Sequence, residues 1–154
     1  MRIVFCGVAA VVAQLFAFSS GALLAQQPSS VSKATLDFEY FKTQVQPVFL
    51  MKRTGYTRCV VCHSGGGEAG FLQPLAPGAT TWNDEQSRKN FEAASRLVMP
   101  GQPMKSRLLT HPLEPAAGGD EFHNGGRQFT TQDDPQFQTL ANWVTGKTAG
   151  GSGR

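Results

Sequence analysis

The run Cys59-Val60-Val61-Cys62-His63 constrains what this 154-residue chain can fold into more than any other feature. Two thiols three residues apart, followed directly by an imidazole, form the pattern through which haem is attached covalently to a protein. Each thiol can add across one vinyl group of the haem, and the histidine can then bind the iron. The motif therefore predicts one haem c, with Cys59 and Cys62 as the thioethers and His63 as the proximal iron ligand.

Three other roles for the Cys-x-x-Cys pair need to be compared with haem attachment. A tetrahedral zinc site needs four ligands, and the chain has no second Cys-x-x-Cys or His-x-His pattern. A thioredoxin-like dithiol lies at a strand-to-helix turn within a βαβ pattern, which does not surround this pair. A purely structural disulfide would leave His63 without a role. The sequence therefore favours haem attachment over all three.

The N-terminal segment has the pattern of a secretory signal. Arg2 supplies a positive charge, residues 3–18 are apolar apart from Gly7 and Gln14, and Leu23-Leu24-Ala25 is an acceptable cleavage site. We therefore predict a signal peptide over residues 1–25, with a mature chain that is exported to the periplasm and soluble there. An uncleaved N-terminal anchor is the alternative. Bacterial haem attachment also takes place outside the cytoplasm, so the two predictions agree.

Length and composition predict one globular domain after the signal. We expect a short linker over residues 26–36, a single domain over residues 37–147 and a flexible tail over residues 148–154, because the mature chain is too short for two cores. Hydrophobic residues make up 40% of the chain and charged residues 16%, which indicates a globular chain. The net charge of +3 comes without a clustered basic stripe, so no nucleic-acid partner is expected.

Apolar spacing predicts helices joined by long loops. The first helix should run from Asp37 to about Val48, with Pro47 ending or kinking it. The second is capped by Asn83 or Asp84 and stopped by Pro100-Gly101. Its predicted apolar face consists of Phe91, Ala94, Leu97 and Val98.

A short helical turn is expected from Ser106 to Thr110, and the clearest helix comes last. Asp134 is the predicted N-cap of this last helix, Pro135 its first residue and Gly146 its end. Its apolar stripe consists of Phe137, Leu140, Ala141 and Val144. Because no β-branched run alternates over more than a few residues, the predicted class is all-α.

This order of elements resembles the class I cytochrome c fold and, more closely, the planctomycete-type cytochrome c domain, over about residues 37–147. Besides the haem motif, the matching segments are Val45-Gln46-Pro47-Val48-Phe49, Pro100-Gly101-Gln102-Pro103, Ser106-Arg107-Leu108-Leu109, His123 with Gly125-Gly126, Asp133-Asp134 and the helix from Leu140 to Trp143. Asn124 stands where the family often has a third glycine. The resemblance implies a helical fold with long loops wrapped around one haem, whose first and last helices cross near one haem edge. The apolar stripes agree, since Phe41 and Val45 could pack against Trp143 and its neighbours.

The second axial ligand of the iron is less constrained. Four side chains after the haem motif could supply it: Met99, Met104, His111 and His123. In class I folds this ligand comes from the loop ahead of the last helix, and His123 lies about ten residues before that helix, whereas Met104 lies about thirty before it. Gly125 and Gly126 would let the backbone approach the haem face. His123 is therefore the predicted distal ligand, with Met104, His111 and Met99 as alternatives.

The expected function is single-electron transfer without enzymatic activity. An iron with two protein ligands changes oxidation state with little rearrangement, and we interpret Asp120-Glu121 beside His123 as a solvated acidic loop, not as a catalytic pair. The alternatives are a haem subunit of a larger redox complex or filament, and a haem peroxidase or gas sensor with an open sixth position. The expected partners are redox proteins, with docking to a membrane complex as a further option. No small-molecule substrate is expected.

Overall fold

The computed structural model describes residues 34–65 and 69–151 of the chain. The predicted signal peptide, most of the predicted linker and tail residues 152–154 lie outside the described residues. Helix accounts for 43% of the interpretable residues, and extended pairing is limited there to isolated bridges. The described part is therefore mostly helical, as an all-α class requires. None of its helices is both long and apolar enough to cross a membrane.

The described residues form helices separated by long loops. Helix α1 covers residues 38–50 in three consecutive parts, of which the middle one is π-helical: Phe38–Tyr40, Phe41–Val45 and Gln46–Leu50. The later α-helices are α2 (Cys59–His63), α3 (Asp84–Ser95), α4 (Arg107–Thr110) and α5 (Pro135–Val144). Short 3₁₀ turns at Pro103–Lys105 and Pro115–Ala117 lie on either side of α4.

Pro47 does not end the first helix. A proline inside a helix lacks the N–H that would bond to the carbonyl four residues earlier. Here the turn just before it is π-helical, with the Gln46 N–H bonded to the Phe41 carbonyl, so the helix widens at the proline and then continues to Leu50. The predicted N-terminus is confirmed, since the Asp37 carboxylate accepts from the Tyr40 N–H at 2.6 Å.

Helix α3 begins as predicted but ends earlier. Asn83 is the N-cap and forms a reciprocal capping box with Gln86. The prediction that Leu97 and Val98 belong to the apolar face of this helix is wrong, because the helix ends at Ser95. The next N–H groups bond to carbonyls three residues back, which tightens the chain into a turn.

The first and last helices pack against each other, as predicted from their apolar stripes. The ring centroids of Phe41 and Trp143 lie 5.0 Å apart, and the Trp143 indole N–H donates to the Asp37 carbonyl at 3.1 Å. Val45, Trp143 and Val144 are completely buried. This contact between the two helices belongs to the hydrophobic core.

Asp134 caps helix α5 and also forms an ion pair. Its carboxylate accepts from the backbone N–H groups of Gln136 at 2.9 Å and Phe137 at 3.3 Å, and Arg53 donates to it at 2.5 Å. Burial alone would raise the pKa of Asp134, but the Arg53 hydrogen bond and the two N–H groups outweigh it and hold the pKa below its ordinary value. The charged form of Asp134 therefore stabilises the fold.

We expect Asp134→Ala to lower the free energy of unfolding by about 1–2 kcal/mol at neutral pH, because α5 loses its N-cap and Arg53 its partner. A carboxyl with a lowered folded-state pKa contributes stability that is complete above its ordinary pKa of 3.8 and is lost as the pH falls through the lowered value. The penalty should therefore shrink in acid. Denaturant unfolding followed by circular dichroism, at neutral pH and at a pH below the ordinary pKa of 3.8, measures this loss of stability. Asp134→Asn, which keeps a capping oxygen, is the control. If Asp134→Ala lowered the free energy of unfolding equally at both pH values, the charge of Asp134 would not contribute to stability.

Candidate functional site

A cavity of about 570 Å³ opens between α1, α2, α5 and the loop that contains His111 and His123. Its volume lies within the range of about 300–1,000 Å³ that is usual for cofactor and ligand sites. Part of its wall is apolar and consists of Val48, Phe49, Phe71, Leu97, Leu108, Phe129 and Leu140. Such a wall suits a large, flat and mostly apolar group.

Helix α2 places the three residues of the haem motif on the cavity. Residues three and four positions apart lie on the same face of a helix, so Cys59, Cys62 and His63 share one face, and all three line the cavity. Both thiols are free; Cys62 is exposed and Cys59 is half-buried. The local helix thus explains the spacing of the motif.

The Cys59 thiol has the opposite character from that of a redox-active dithiol. Burial raises the pKa of Cys59 to about 11. In thioredoxin-like proteins the nucleophilic cysteine has a lowered pKa, which makes it a thiolate at neutral pH. The environment of Cys59 therefore does not favour dithiol exchange.

His63 is held in one tautomer by the loop that follows it. Its Nδ1 lies 2.5 Å from the Ala69 carbonyl, and a carbonyl only accepts, so Nδ1 carries the proton and Nε2 has the free electron pair. The backbone N–H groups of Phe71 and Leu72 both donate to the His63 carbonyl. The Phe71 ring packs against the imidazole with a centroid distance of 4.8 Å. This loop therefore orients His63 as a ligand.

His123 is held in the same way, about sixty residues later. Its Nδ1 donates to the Gly126 carbonyl at 2.5 Å, while the Gly126 N–H donates to the His123 carbonyl at 3.0 Å. Gly126 has φ +80°, and a Cβ on Gly125 would meet the His123 ring at 3.3 Å, so both glycines suit this turn. Burial lowers the pKa of His123, and neighbouring His111 lowers it further, against the Gly126 hydrogen bond that raises it. A neutral imidazole with a free Nε2 results.

The two imidazoles have the spacing of paired ligands of one metal atom. The ring centroids of His63 and His123 are 6.1 Å apart, and the ring planes differ by 10°. A bond from a metal to an imidazole nitrogen is about 2.0–2.1 Å long, and the ring centre lies about 1.2 Å further on, so two imidazoles on opposite sides of one metal have centroids about 6.4 Å apart. The observed 6.1 Å between the centroids of His63 and His123 is compatible with one metal atom bound by both.

Of the other three candidate ligands, the two methionines lie away from the cavity and His111 lines it. Met99 and Met104 do not line the cavity and are 47% and 38% exposed. His111 does line it, with its ring centroid 5.0 Å from that of His123. Its Nδ1 pairs with the Asp120 carboxylate at 2.9 Å. Of the four candidates for the second ligand, His111 and His123 line the cavity and Met99 and Met104 do not.

Sequence reasoning missed several residues that shape the site. Asp120 lies on an exposed loop as expected, with its side chain 43% exposed, but it also pairs with His111. The carbonyls of Ala69 and Gly126 orient the two imidazoles. No periodicity or motif could have identified these partners, because backbone carbonyls carry no sequence signal. Among the residues that the structure describes, no group of three His, Cys, Asp or Glu side chains is arranged to hold a metal ion.

No family model, curated protein or solved structure matches this chain. A fold class alone does not define a function. The function is therefore inferred from the cavity and the side chains that line it.

Proposed function

We propose that this chain is an exported c-type cytochrome that carries single electrons on one haem, attached through Cys59 and Cys62 and bound by His63 and His123. The observation that carries this proposal is the near-parallel pair of imidazoles, 6.1 Å apart on a cavity whose wall also contains the two free thiols. The resemblance of the sequence to the planctomycete-type cytochrome c domain supports the same conclusion.

The haem would supply a reversible ferric–ferrous couple, and the chain would hold its axial ligands still. The carbonyls of Ala69 and Gly126 each accept the Nδ1 proton of one histidine. Such partners fix the tautomer and the ring orientation, and they make Nε2 a better electron-pair donor. The apolar side chains of the wall would cover part of the haem. A site with two oriented ligands suits electron transfer because little rearranges when the charge changes.

The export and partner proposals rest on the sequence. The signal-like N-terminus and the haem motif agree on a location outside the cytoplasm, where redox proteins would be the partners. N-terminal sequencing of the mature protein tests cleavage after Ala25. Purification of the native complex would identify the electron donor and acceptor, and would also show whether the chain is a subunit of a larger redox assembly.

We expect the reduced mature protein to bind carbon monoxide slowly or not at all, because His63 and His123 would both be bound to the iron and leave no open position. Peroxide turnover should stay close to that of any small six-coordinate cytochrome. Stopped-flow absorption spectroscopy with carbon monoxide measures the first, and a peroxidase assay the second. Rapid carbon monoxide binding by undamaged protein would instead indicate a gas sensor or a peroxidase, both of which need an open position.

A further inference from the structure

We infer that Arg96 and Arg107 bind the two propionate carboxylates of the haem, an inference that rests on the proposed function. Three arginines line the cavity, Arg58 as well as these two, and among the residues that the structure describes no aspartate or glutamate does. Three cations without a facing carboxylate on the wall favour an anionic ligand. The haem carries two carboxylates and therefore matches this charge.

The three arginines are available for such a ligand. The ion pairs among the described residues join Lys42 to Asp84, Arg53 to Asp134, Lys89 to Glu85 and His111 to Asp120. Within that part of the chain, the side chains of Arg58, Arg96 and Arg107 form neither an ion pair nor a hydrogen bond. A planar guanidinium can bind a carboxylate through two parallel hydrogen bonds, so each arginine could bind one propionate.

The backbone brings Arg96 and Arg107 together. The Leu108 N–H donates to the Leu97 carbonyl at 3.0 Å, which joins the two segments one residue after each arginine. Both arginines line the cavity, and so do Leu97 and Leu108, the residues that follow them in the chain. Two neighbouring cations suit two propionates, which project from the same edge of the haem.

Arg58 is the cavity arginine nearest in sequence to the two thioether-forming cysteines. It directly precedes Cys59 in the chain, and the vinyl groups that react with the cysteines lie on the edge of the haem opposite to the propionates. Helix α2 packs on the last part of α1, whereas α4, which begins with Arg107, packs on α5. The arginine pair and the thioether end are therefore carried by different elements, which assigns the propionates to Arg96 and Arg107.

The test compares the holoprotein with its Arg96→Gln and Arg107→Gln variants, singly and together. The midpoint potential should fall in each single variant and fall further in the double variant, because removing a cation near the iron favours the ferric state. The resonance Raman propionate bending band should shift in the same variants. Arg88→Gln is the matched control: Arg88 is also an exposed arginine of this region, on α3, but its guanidinium lies over the Phe38 ring at 4.4 Å and not on the cavity. It should leave the band unchanged.

The outcomes separate this inference from the proposed function. If the mass of the mature wild-type protein shows no attached haem, the proposed function fails and the inference fails with it. If haem is attached but the propionate band and the potential respond no more to Arg96→Gln and Arg107→Gln than to Arg88→Gln, the inference alone is wrong. Should the glutamine variants yield no holoprotein, Arg96→Lys/Arg107→Lys decides, since lysine keeps the charge but loses the two-bond geometry. The band must then shift while the potential stays near that of the wild type, and an unshifted band overturns the inference.

Discussion

The Cys59→Ser/Cys62→Ser double variant is expected to lose its haem during purification and to be largely unfolded. A covalent tether holds a group at an effective concentration on the order of 1 mM, whereas free haem at about 1 µM is a thousandfold more dilute, a difference of about 4 kcal/mol in stabilisation. That is a large part of the total stability of a small domain. Far-ultraviolet circular dichroism and the haem content per chain measure the loss.

Mass spectrometry and a free-thiol assay test the attachment of haem directly. The mature wild-type protein should have the mass of its polypeptide plus one haem and should contain no free thiol, and each single serine variant should lower the holoprotein yield. Cys6→Ser is the matched control, because Cys6 lies in the predicted signal peptide and should be absent from the mature chain. A Cys59–Cys62 disulfide in native material would show that the central proposal is wrong.

The fold explains why haem loss should matter so much. Phe49, Leu108 and Leu140 lie on the cavity wall, and a bound macrocycle would cover their apolar surface. Each buried square ångström of apolar area contributes about 25 cal/mol. The described part of the chain has an aromatic core around Phe41 and Trp143, and the haem would extend that core on the cavity side.

His123→Ala is expected to open one side of the iron. If the five-coordinate form is about 1% populated in the wild type, removing the ligand should strengthen carbon monoxide binding about a hundredfold. His111→Ala is the control, because it removes an imidazole 5.0 Å away but leaves the His63–His123 pair intact. If His111→Ala opens the iron and His123→Ala does not, the distal ligand is His111.

Ligation by two histidines also predicts the spectrum and the potential. The ferric wild-type protein should lack the weak red charge-transfer band of methionine ligation, and its potential should be lower than that of a histidine–methionine site, because a thioether favours ferrous iron. Such a band in the wild type that survives in His123→Ala would point to Met104 or Met99. Either would have to move from its present position outside the cavity.

Some features of this protein follow from the sequence alone because they depend on neighbours in the chain. The caps at Asp37, Asn83 and Asp134 each involve residues within three positions, and the haem motif shares a face because one helical turn places it there. The mostly helical character follows from apolar periodicity in the same way. Each of these interactions joins residues within one helical turn, so the spacing of residues in the sequence is enough to predict it.

Only the tertiary structure decided which distant residues meet. The sequence favoured His123 among four candidate partners for His63, and the structure brings these two rings together. The position of Met99 and Met104 outside the cavity, and of Arg96 and Arg107 on its wall, involves separate segments. Packing of the whole core sets these contacts, and residues brought together from separate parts of the chain leave no periodic signal in the sequence.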